Sequence, residues 1–299
     1  MSTQLEQHTV EHHGGTTGTV VGEAFYVIGG NSTPFEHFGT VHVVPLDPNG
    51  ERRTLTSMPT PRANPVAAAV GTRIYTVAGS IASQPPDEHR DGPSTVVEVL
   101  DTNEGSWQTC APLPAQRVKP GLAAVGNILY ALGGREDELD ADTIFAYDTV
   151  KDCWSEVGRL PYGARHGAAC SLDGVIYYCG GWTAGPNKGT FQKSLIAFEP
   201  QSGKVLELAD MPASRTAHAF VACGGALYSL GGVDTEKKPT STVYRYEIGS
   251  DTWTECEPLK SNRAVFACGV AGDEIILAGG WKQMRKEANT GEERYCPKS

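Results

Sequence analysis

The chain has 299 residues, of which 35 are glycine, 19 are proline and 20% are charged, and this composition is typical of an all-β protein rich in turns. Its formal net charge of −10 disfavours nucleic acid and anionic membranes as main partners, because an acidic field attracts neither. The first residues lack a basic region before an apolar run, and no segment approaches about 18 uninterrupted apolar residues, so we expect a cytoplasmic protein without a membrane span.

The predicted elements begin with a tight turn and a short apolar strand that ends in glycine, and this pair recurs six times. The six apolar runs occupy residues 25–30, 74–79, 128–134, 176–181, 227–232 and 275–280. Because they recur roughly every 50 residues, the sequence predicts a repeat array with one closed core rather than two separate domains. Ala78 stands where the other five runs have their first glycine.

Each apolar run is the second of four predicted strands. A run of small residues precedes it, as at 66–70, 122–125 and 217–222, with a hairpin turn between the two. The third strand ends in an acid, and six residues later a fourth strand opens with Trp107, Trp154 or Trp253 in three repeats, and with Arg53 or Val205 in two others. A few residues after the fourth strand comes an arginine; the five are Arg62, Arg117, Arg165, Arg215 and Arg263.

Eight cysteines are distributed along these predicted strands. Cys110 and Cys256 lie in a position that Val157 and Leu208 fill in sister repeats. Cysteine therefore replaces a small apolar residue there, and we expect mostly reduced, buried thiols rather than disulfides.

The succession of a glycine pair, Tyr-Asp, a tryptophan six residues on, Met/Leu-Pro and an arginine resembles the kelch repeat. The resemblance covers essentially the whole chain and implies an all-β fold, a six-bladed β-propeller with four antiparallel strands in each blade. We expect one propeller over residues 1–299. Its repeat cores are predicted at about 13–60, 61–115, 116–162, 163–213, 214–260 and 261–299, the last completed by residues 1–12.

The two ends of the chain are predicted to close the ring. The sixth repeat has no residues left for a fourth strand after 292–297. Counting back from His13, which takes the arginine position of the first repeat, places the missing strand at residues 3–9. Pairing of this strand with the last blade would cover open sheet edges.

The resemblance places ligand sites at the mouth of the central channel, where the loops after the second strands meet the connections that carry the arginines. The five arginines are therefore candidate ligand-binding residues. Their recurrence also fits an architectural role, in which each braces a blade-to-blade connection through hydrogen bonds.

Aromatic residues in the same loops are further ligand-binding candidates. Trp182 and Trp281 each follow a glycine pair directly, and Phe35 and Phe191 lie in loops that do not require an aromatic residue. Aromatic surfaces beside cations suit rigid or anionic ligands. The alternative is that these side chains pack under their own loops.

Polar residues that differ between repeats mark a second candidate group. Asn64, Lys119 and His166 follow the arginines in successive repeats and could form one polar arc on the rim. A histidine near a lysine and arginines would have a lowered pKa, so His166 and Lys119 are candidate catalytic residues in an enzyme. A solvated polar rim is the alternative.

Metal binding has weaker sequence support. The acids between Glu136 and Asp142 could bind a cation, although surface charges are usually solvated. The kelch specifier enzymes use iron and a Glu-xxx-Asp-xxx-His pattern; Glu136 and Asp140 match it, but Ile144 replaces the histidine, which argues against iron chemistry. His8, His12 and His13 cluster near the predicted closing strand. We predict no metal and no cofactor.

Two functions remain open. The first is a monomeric recognition module that binds a protein segment or an acidic or aromatic small ligand at the channel mouth. The second is a cofactor-independent enzyme, such as an isomerase, mutarotase, cyclase or lyase, with its active site in the same place. Fold alone does not decide between them.

Overall fold

The computed structural model describes residues 14–33, 36–81, 92–136, 139–184, 189–284, 286–289 and 291–297. Regular structure in these ranges consists of antiparallel β-strands. Within the same ranges, no helix has the length and apolar character needed to cross a bilayer. The predicted closing strand at residues 3–9 lies outside the described residues.

The first three blades are four-stranded antiparallel sheets. Blade 1 contains β1 (Thr17–Val21), β2 (Ala24–Ile28), β5 (Val41–Pro45) and β6 (Arg53–Leu55), with a small hairpin of β3 (Asn31–Thr33) and β4 (Glu36–His37). Blade 2 contains β7 (Val66–Val70), β8 (Arg73–Val77), β11 (Val97–Asp101) and β12 (Ser106–Thr109), with β9 (Ser80–Ile81) and β10 (Gly92–Pro93). Blade 3 contains β13 (Gly121–Val125), β14 (Ile128–Leu132), β17 (Thr143–Asp148) and β18 (Cys153–Arg159), with β15 (Arg135–Glu136) and β16 (Leu139–Asp140).

The other three blades follow the same order, with three described strands in the last. Blade 4 contains β19 (Ala168–Leu172), β20 (Val175–Cys179), β23 (Leu195–Glu199) and β24 (Lys204–Leu208), with β21 (Trp182–Thr183) and β22 (Thr190–Phe191). Blade 5 contains β25 (Ala219–Cys223), β26 (Ala226–Leu230), β27 (Val243–Glu247) and β28 (Thr252–Cys256). Blade 6 contains β29 (Ala267–Ala271), β30 (Glu274–Ala278) and β33 (Glu292–Tyr295), with β31 (Trp281–Gln283) and β32 (Glu287–Ala288).

The first strands of the six blades stand side by side around a central channel. Each packs against the first strands of its two neighbours, and β1 packs against β29, so the ring closes. Because six strands converge there, small side chains are needed, which explains the runs of alanine and glycine in the sequence. The all-β, six-bladed propeller predicted from the repeats is confirmed.

The strand register defines which face carries the channel mouth. Gly121 at the start of β13 pairs with Leu132 at the end of β14. The connection into a first strand and the loop that follows the glycine pair therefore meet at the same edge of each blade. We call this edge the mouth face.

Tryptophans of the fourth strands link neighbouring blades. The indole Nε1 of Trp154 donates a hydrogen bond to the carbonyl oxygen of Ala111 in blade 2 at 2.9 Å, and Trp253 donates to Ala209 in blade 4 at 2.8 Å. Each indole thus satisfies a carbonyl of the preceding blade, which gives a physical reason for the repeated tryptophan.

Candidate functional site

Six residues with left-handed backbone conformation surround the channel mouth. They directly precede the first residues of the channel walls, and their φ angles lie between 51° and 71°; they are Gly15, Asn64, Lys119, His166, Ala217 and Val265. Five backbone N–H···O hydrogen bonds of 2.8–3.2 Å join them from blade to blade. Neighbours joined in this way are about 5 Å apart, so this mouth ring measures about 10 Å across between opposite Cα atoms.

The mouth ring brings the predicted polar arc together. Asn64, Lys119 and His166 are successive members of the ring, and the backbone N–H of His166 donates to the carbonyl oxygen of Lys119 at 3.2 Å. Lys119 lines the channel, where desolvation lowers the pKa of its amine to about 8. His166 lies beside it on the ring.

Four of the five arginines are buried within their own blades. Arg62, Arg117, Arg215 and Arg263 are each at most 3% exposed. The guanidinium Nη1 of Arg215 donates to the carbonyl oxygens of Gly231 and Thr242, both at 3.0 Å, and Nη1 of Arg263 donates to Gly279 at 2.6 Å. These bonds hold the end of the second strand against the start of the third, which is the architectural role that the sequence also allowed.

The same bracing in blade 2 uses a buried ion pair. Arg62 Nη2 lies 3.0 Å from Glu98 Oε2 and donates to Thr76 Oγ1 at 2.9 Å. Burial lowers the pKa of Arg62 to about 10, and Glu98 opposes this shift. The pair is fully enclosed, so it fixes the blade rather than facing a ligand.

Arg165 is not equivalent to the other four arginines, although the sequence spacing made it look so. Ala164 takes the arginine position of blade 4, since its carbonyl oxygen accepts the N–H of Gly134 at 2.8 Å as Arg263 accepts that of Gly232. Leu160 and the first glycine of the pair, Gly180, are 20 residues apart, as in the other blades, so the arginine itself is displaced by one residue and His166 rather than Gly167 enters the mouth ring. Arg165 falls in a position that holds small residues in the other blades; these are Gly14, Ala63, Val118, Thr216 and Ala264.

Arg165 forms a compact group with an aromatic ring and an acid. Its guanidinium carbon lies 4.7 Å from the centroid of the Trp182 ring. Its Nε donates to Asp140 Oδ1, and Asp140 Oδ2 accepts the backbone N–H of Ala184. The Arg165 side chain is 15% exposed. Trp182 therefore lies beside a cation, and Asp140 of blade 3 is the third member of the group.

Trp281 and Phe191 lie in an apolar cluster on the mouth face. Trp281 is 7% exposed, and its indole packs so closely on Gly14 of blade 1 that a Cβ there would clash. Phe191 pairs with Trp182 across the β21–β22 hairpin and packs partly buried against the cluster. We call this cluster the apolar mouth patch; it contains Phe191, Ala217, Val233, Ala264, Val265, Trp281, Met284 and Ala288. Phe35 lies outside the described residues.

Carboxylates of the acidic loop pair with arginines. Glu136 lies 2.8 Å from Arg117, and Asp142 lies 2.9 Å from Arg159. Together with the Asp140–Arg165 contact, these pairs account for three of the five acids, and Asp137 and Glu138 lie outside the described residues. Ile144 is fully buried in the core of blade 3, so no metal ligand is available at that position. His8, His12 and His13 also fall outside the described ranges.

Below the mouth ring the channel forms a cavity of about 380 Å³ that all six first strands line. Two polar side chains in its wall were missed by sequence reasoning. His218 is 8% exposed and Thr16 is 3% exposed. The two imidazole nitrogens of His218 and the hydroxyl of Thr16 have no hydrogen-bond partner among the described residues. Burial, followed by the nearby charges of Arg215 and Lys119, lowers the pKa of His218 to about 3. The signal was a histidine inside a run of small residues.

Comparisons with known proteins agree with the repeat pattern. A family model described as "Kelch motif" matches residues 61–114, 116–161 and 214–260, which span blades 2, 3 and 5. The chain is 28% identical over 259 residues to Kelch-like protein 34 of Homo sapiens, an alignment that covers 83% of this chain and 39% of that protein.

Two further relatives carry different names. Over 265 residues the chain is 28% identical to N-(sulfonatooxy)prop-2-enimidothioate sulfolyase of Thlaspi arvense, covering 78% of this chain and 74% of that protein. Over 240 residues it is 29% identical to Kelch-like protein terF of Aspergillus terreus, and this alignment covers 76% of this chain and 51% of that protein. The chain thus spans about two fifths of Kelch-like protein 34 and half of terF. With kelch motifs in three blades, relatives named Kelch-like proteins and six blades around one channel, the resemblance to the kelch-repeat β-propellers is confirmed.

Proposed function

We propose that this propeller is a recognition module that binds a protein segment carrying an acidic side chain beside an apolar one. The binding surface is the mouth face. The acidic side chain of the segment binds at Arg165 and Trp182, and its apolar side chain packs on the apolar mouth patch. The observation that carries the proposal is Arg165, a cation in a position where the repeat otherwise places a small residue.

The chemistry of the group supports an acidic ligand. Asp140 accepts a hydrogen bond from Nε of Arg165, and among the described residues the two terminal nitrogens of Arg165 have no hydrogen-bond acceptor. A guanidinium packed against an indole has little freedom to lose, so it can form a paired hydrogen bond with a carboxylate at low entropic cost. The relatives named Kelch-like proteins are consistent with a binding role.

The apolar half of the mouth face supports a peptide rather than a lone anion. Phe191 and Met284 are partly exposed at the edge of the apolar mouth patch, on the side of blades 4 and 6. An extended segment alternates its side chains, so an acid and a nearby apolar residue can reach both halves at once.

The experiment selects peptides on the wild-type protein from a random library and measures their dissociation constants by titration calorimetry. Arg165→Gln is the test variant, because glutamine keeps an amide donor for Asp140 while removing the charge. We expect selected peptides to contain Asp or Glu, and Arg165→Gln to weaken them by about tenfold or more, as loss of a charged hydrogen bond predicts.

Arg73→Gln serves as the matched control. Arg73 is an exposed arginine at the turn end of β8, away from the mouth face, and it lies 3.6 Å from an acid, Asp101. It should leave peptide affinity unchanged. Selected peptides without acids, or equal losses in the two variants, would contradict the proposal.

An enzyme remains a second candidate function, and Lys119 is the observation that favours it. A lysine whose pKa is lowered to about 8 can act as a base near neutral pH. The channel is also large enough for a small substrate, and one relative is named a sulfolyase. Turnover that disappears in Lys119→Asn would support this function.

We also propose that the chain acts as a monomer in the cytoplasm. All eight cysteines are free thiols, the state expected in a reducing compartment, and two of them, Cys153 and Cys296, are exposed rather than buried as predicted. Light scattering after size exclusion checks the monomeric state.

A further inference from the structure

The face opposite the mouth carries the hairpin turns, and the seam between blades 1 and 2 is open there. A groove of about 630 Å³ separates the two blades on this turn face. Its walls include Tyr26, Val43 and Arg53 from blade 1 and Thr72, Thr102 and Asn103 from blade 2. We call it the turn groove.

In three other blades an arginine–acid pair occupies the corresponding part of the blade surface. The pairs are Arg73–Asp101 at 3.6 Å in blade 2, Arg245–Glu247 at 2.6 Å in blade 5 and Arg294–Glu274 at 3.1 Å in blade 6. The strand registers place these residues at the positions that Ala24, Val43 and Pro45 take in blade 1. Because blade 1 has small apolar residues there, no side chain fills the groove.

The phenol of Tyr26 reaches the turn groove with a free hydroxyl group. Tyr26 packs in the core between blades 1 and 2 and is 4% exposed. In blade 5 the corresponding hydroxyl, that of Tyr228, accepts a hydrogen bond from Arg245 Nε at 3.1 Å. Among the described residues nothing hydrogen-bonds the Tyr26 hydroxyl, which keeps surface open to the groove. It can therefore donate to a ligand or accept from one.

Arg53 and Glu51 bring opposite charges to the outer end of the turn groove. Both residues are exposed and line it. Arg52, between them, turns the other way and pairs with Glu292 of blade 6 at 2.6 Å. Arg53 and Glu51 therefore lie on the same side of the chain, about 6–7 Å apart between Cα atoms. In the described part of the chain neither has an ion-pair partner.

We infer that the turn groove binds a free aromatic α-amino acid. Its carboxylate pairs with Arg53 and its ammonium group with Glu51, and its side chain lies over Val43 and Pro45 with the far end at the hydroxyl of Tyr26. This site does not rest on the recognition module proposed for the mouth face.

The two unpaired charges select the headgroup of the ligand. An α-amino acid carries a carboxylate and an ammonium group on one carbon, so it can pair with a guanidinium and a carboxylate together. Arginine holds a carboxylate through two parallel N–H donors. A peptide terminus, a simple acid or a simple amine has only one of the two charges, so it would leave Glu51 or Arg53 without a counter-charge.

The floor of the groove selects the side chain of the ligand. Between the charged end and Tyr26 the floor consists of Val43, Pro45 and Ala24, which are apolar. Strand β5 lies between β2 and β6, so Tyr26 is two strand spacings, about 10 Å, from the outer strand. An aromatic ring covers most of this distance, and its burial on the floor is favourable. The Tyr26 hydroxyl can then bond the phenol of a tyrosine or the indole N–H of a tryptophan.

The experiment measures dissociation constants for tryptophan and four analogues by calorimetry and ligand-observed NMR. Tryptamine lacks the carboxylate, N-acetyltryptophan lacks the ammonium charge, alanine lacks the ring, and phenylalanine lacks the polar group on the ring. We expect tryptophan to bind with a constant below about 1 mM. Tryptamine, N-acetyltryptophan and alanine should each bind at least about tenfold more weakly, and phenylalanine severalfold more weakly.

Each charge has a variant whose effect depends on the ligand. Arg53→Gln should weaken tryptophan by about tenfold or more but leave tryptamine unchanged, because tryptamine has no carboxylate. Glu51→Gln should weaken tryptophan similarly but leave N-acetyltryptophan unchanged. Both residues are exposed, so neither change should disturb the fold. Arg159→Gln removes an exposed arginine from the fourth strand of blade 3 and is the matched control, with no effect expected.

A double variant closes the groove with residues that blade 2 already uses. Ala24→Arg together with Pro45→Asp copies the Arg73–Asp101 pair, and it should abolish tryptophan binding. If this variant does not fold, Tyr26→Phe tests the same end of the groove. It keeps the ring and removes the hydroxyl, so it should weaken tryptophan severalfold and leave phenylalanine unchanged.

Three results would overturn the inference: no binding of tryptophan or phenylalanine up to about 10 mM, equal affinities for tryptophan, tryptamine and N-acetyltryptophan, or unchanged tryptophan affinity in both Arg53→Gln and Glu51→Gln. Arg165→Gln should leave tryptophan binding intact. Loss of peptide binding with retained tryptophan binding would therefore count against the recognition module alone, and the converse against the turn groove alone.

Discussion

At the scale of single residues, His218 shows how burial sets chemistry. The ordinary pKa of histidine is 6.5, and in the folded protein burial and the charges of Arg215 and Lys119 lower that of His218 to about 3. Between these two pH values the unfolded chain binds more protons than the folded one. The contribution of His218 to stability is therefore full above pH 6.5 and falls as the pH drops towards 3.

His218→Phe should remove this pH dependence. As the pH falls from 7 to 4, the free energy of unfolding of the wild type should drop by up to about 3 kcal/mol more than that of the variant. Urea unfolding of both proteins at several pH values measures this difference, and any constant offset from the changed packing cancels. A difference that does not vary with pH would contradict a buried neutral histidine.

The structural environments of Arg165 and His218 were not predicted from the sequence. Arg165 was assigned with the other arginines because its spacing from the Leu-Pro pair is similar, but it lies one residue further from that pair than they do, and Ala164 has their exact spacing. The backbone hydrogen bonds of Ala164 show what this one-residue difference means for the role of Arg165. His218 was hidden because the small-residue pattern of the first strand continued on both sides of it.

At the scale of elements, the repeat pattern predicted the blades well. Glycine-containing turns and alternating apolar residues define short antiparallel strands, and these recur in each blade. The start of β25 differs: the predicted strand began at Ala217, but the structure begins it at Ala219. The left-handed φ of 55° at Ala217 is incompatible with a strand, and tertiary hydrogen bonds in the mouth ring impose it.

The indole links between blades can be tested by Trp253→Phe. Phenylalanine keeps the aromatic contact with Tyr246 but leaves the Ala209 carbonyl without its donor. We expect a loss of about 1–2 kcal/mol in the free energy of unfolding, measured in urea at pH 7. Trp154→Phe, which breaks the equivalent bond to Ala111, should cost a similar amount. No loss in either variant would mean that the indoles act by packing alone.

At the scale of the whole molecule, the propeller is a uniform scaffold with a non-uniform mouth. Four buried arginines, the glycine pairs and the inner strands repeat because the ring needs them. The residues that break the repeat, Lys119, Arg165 and His218, come from three successive blades. This contrast explains why the fold could be predicted from sequence and the site only in part. Residues that repeat identify the blades, whereas the contacts of residues that break the repeat are known only from the structure.

Hydrogen–deuterium exchange with a selected acidic peptide locates the surface on which recognition takes place. If this surface is the mouth face, the peptide should slow exchange in segments 139–142, 163–167 and 181–184, around Asp140, Arg165 and Trp182. Exchange at the hairpin turns of the opposite face, at residues 22–23, 71–72 and 173–174, should not change. Protection confined to those turns would place recognition on the opposite face and rule out the mouth face.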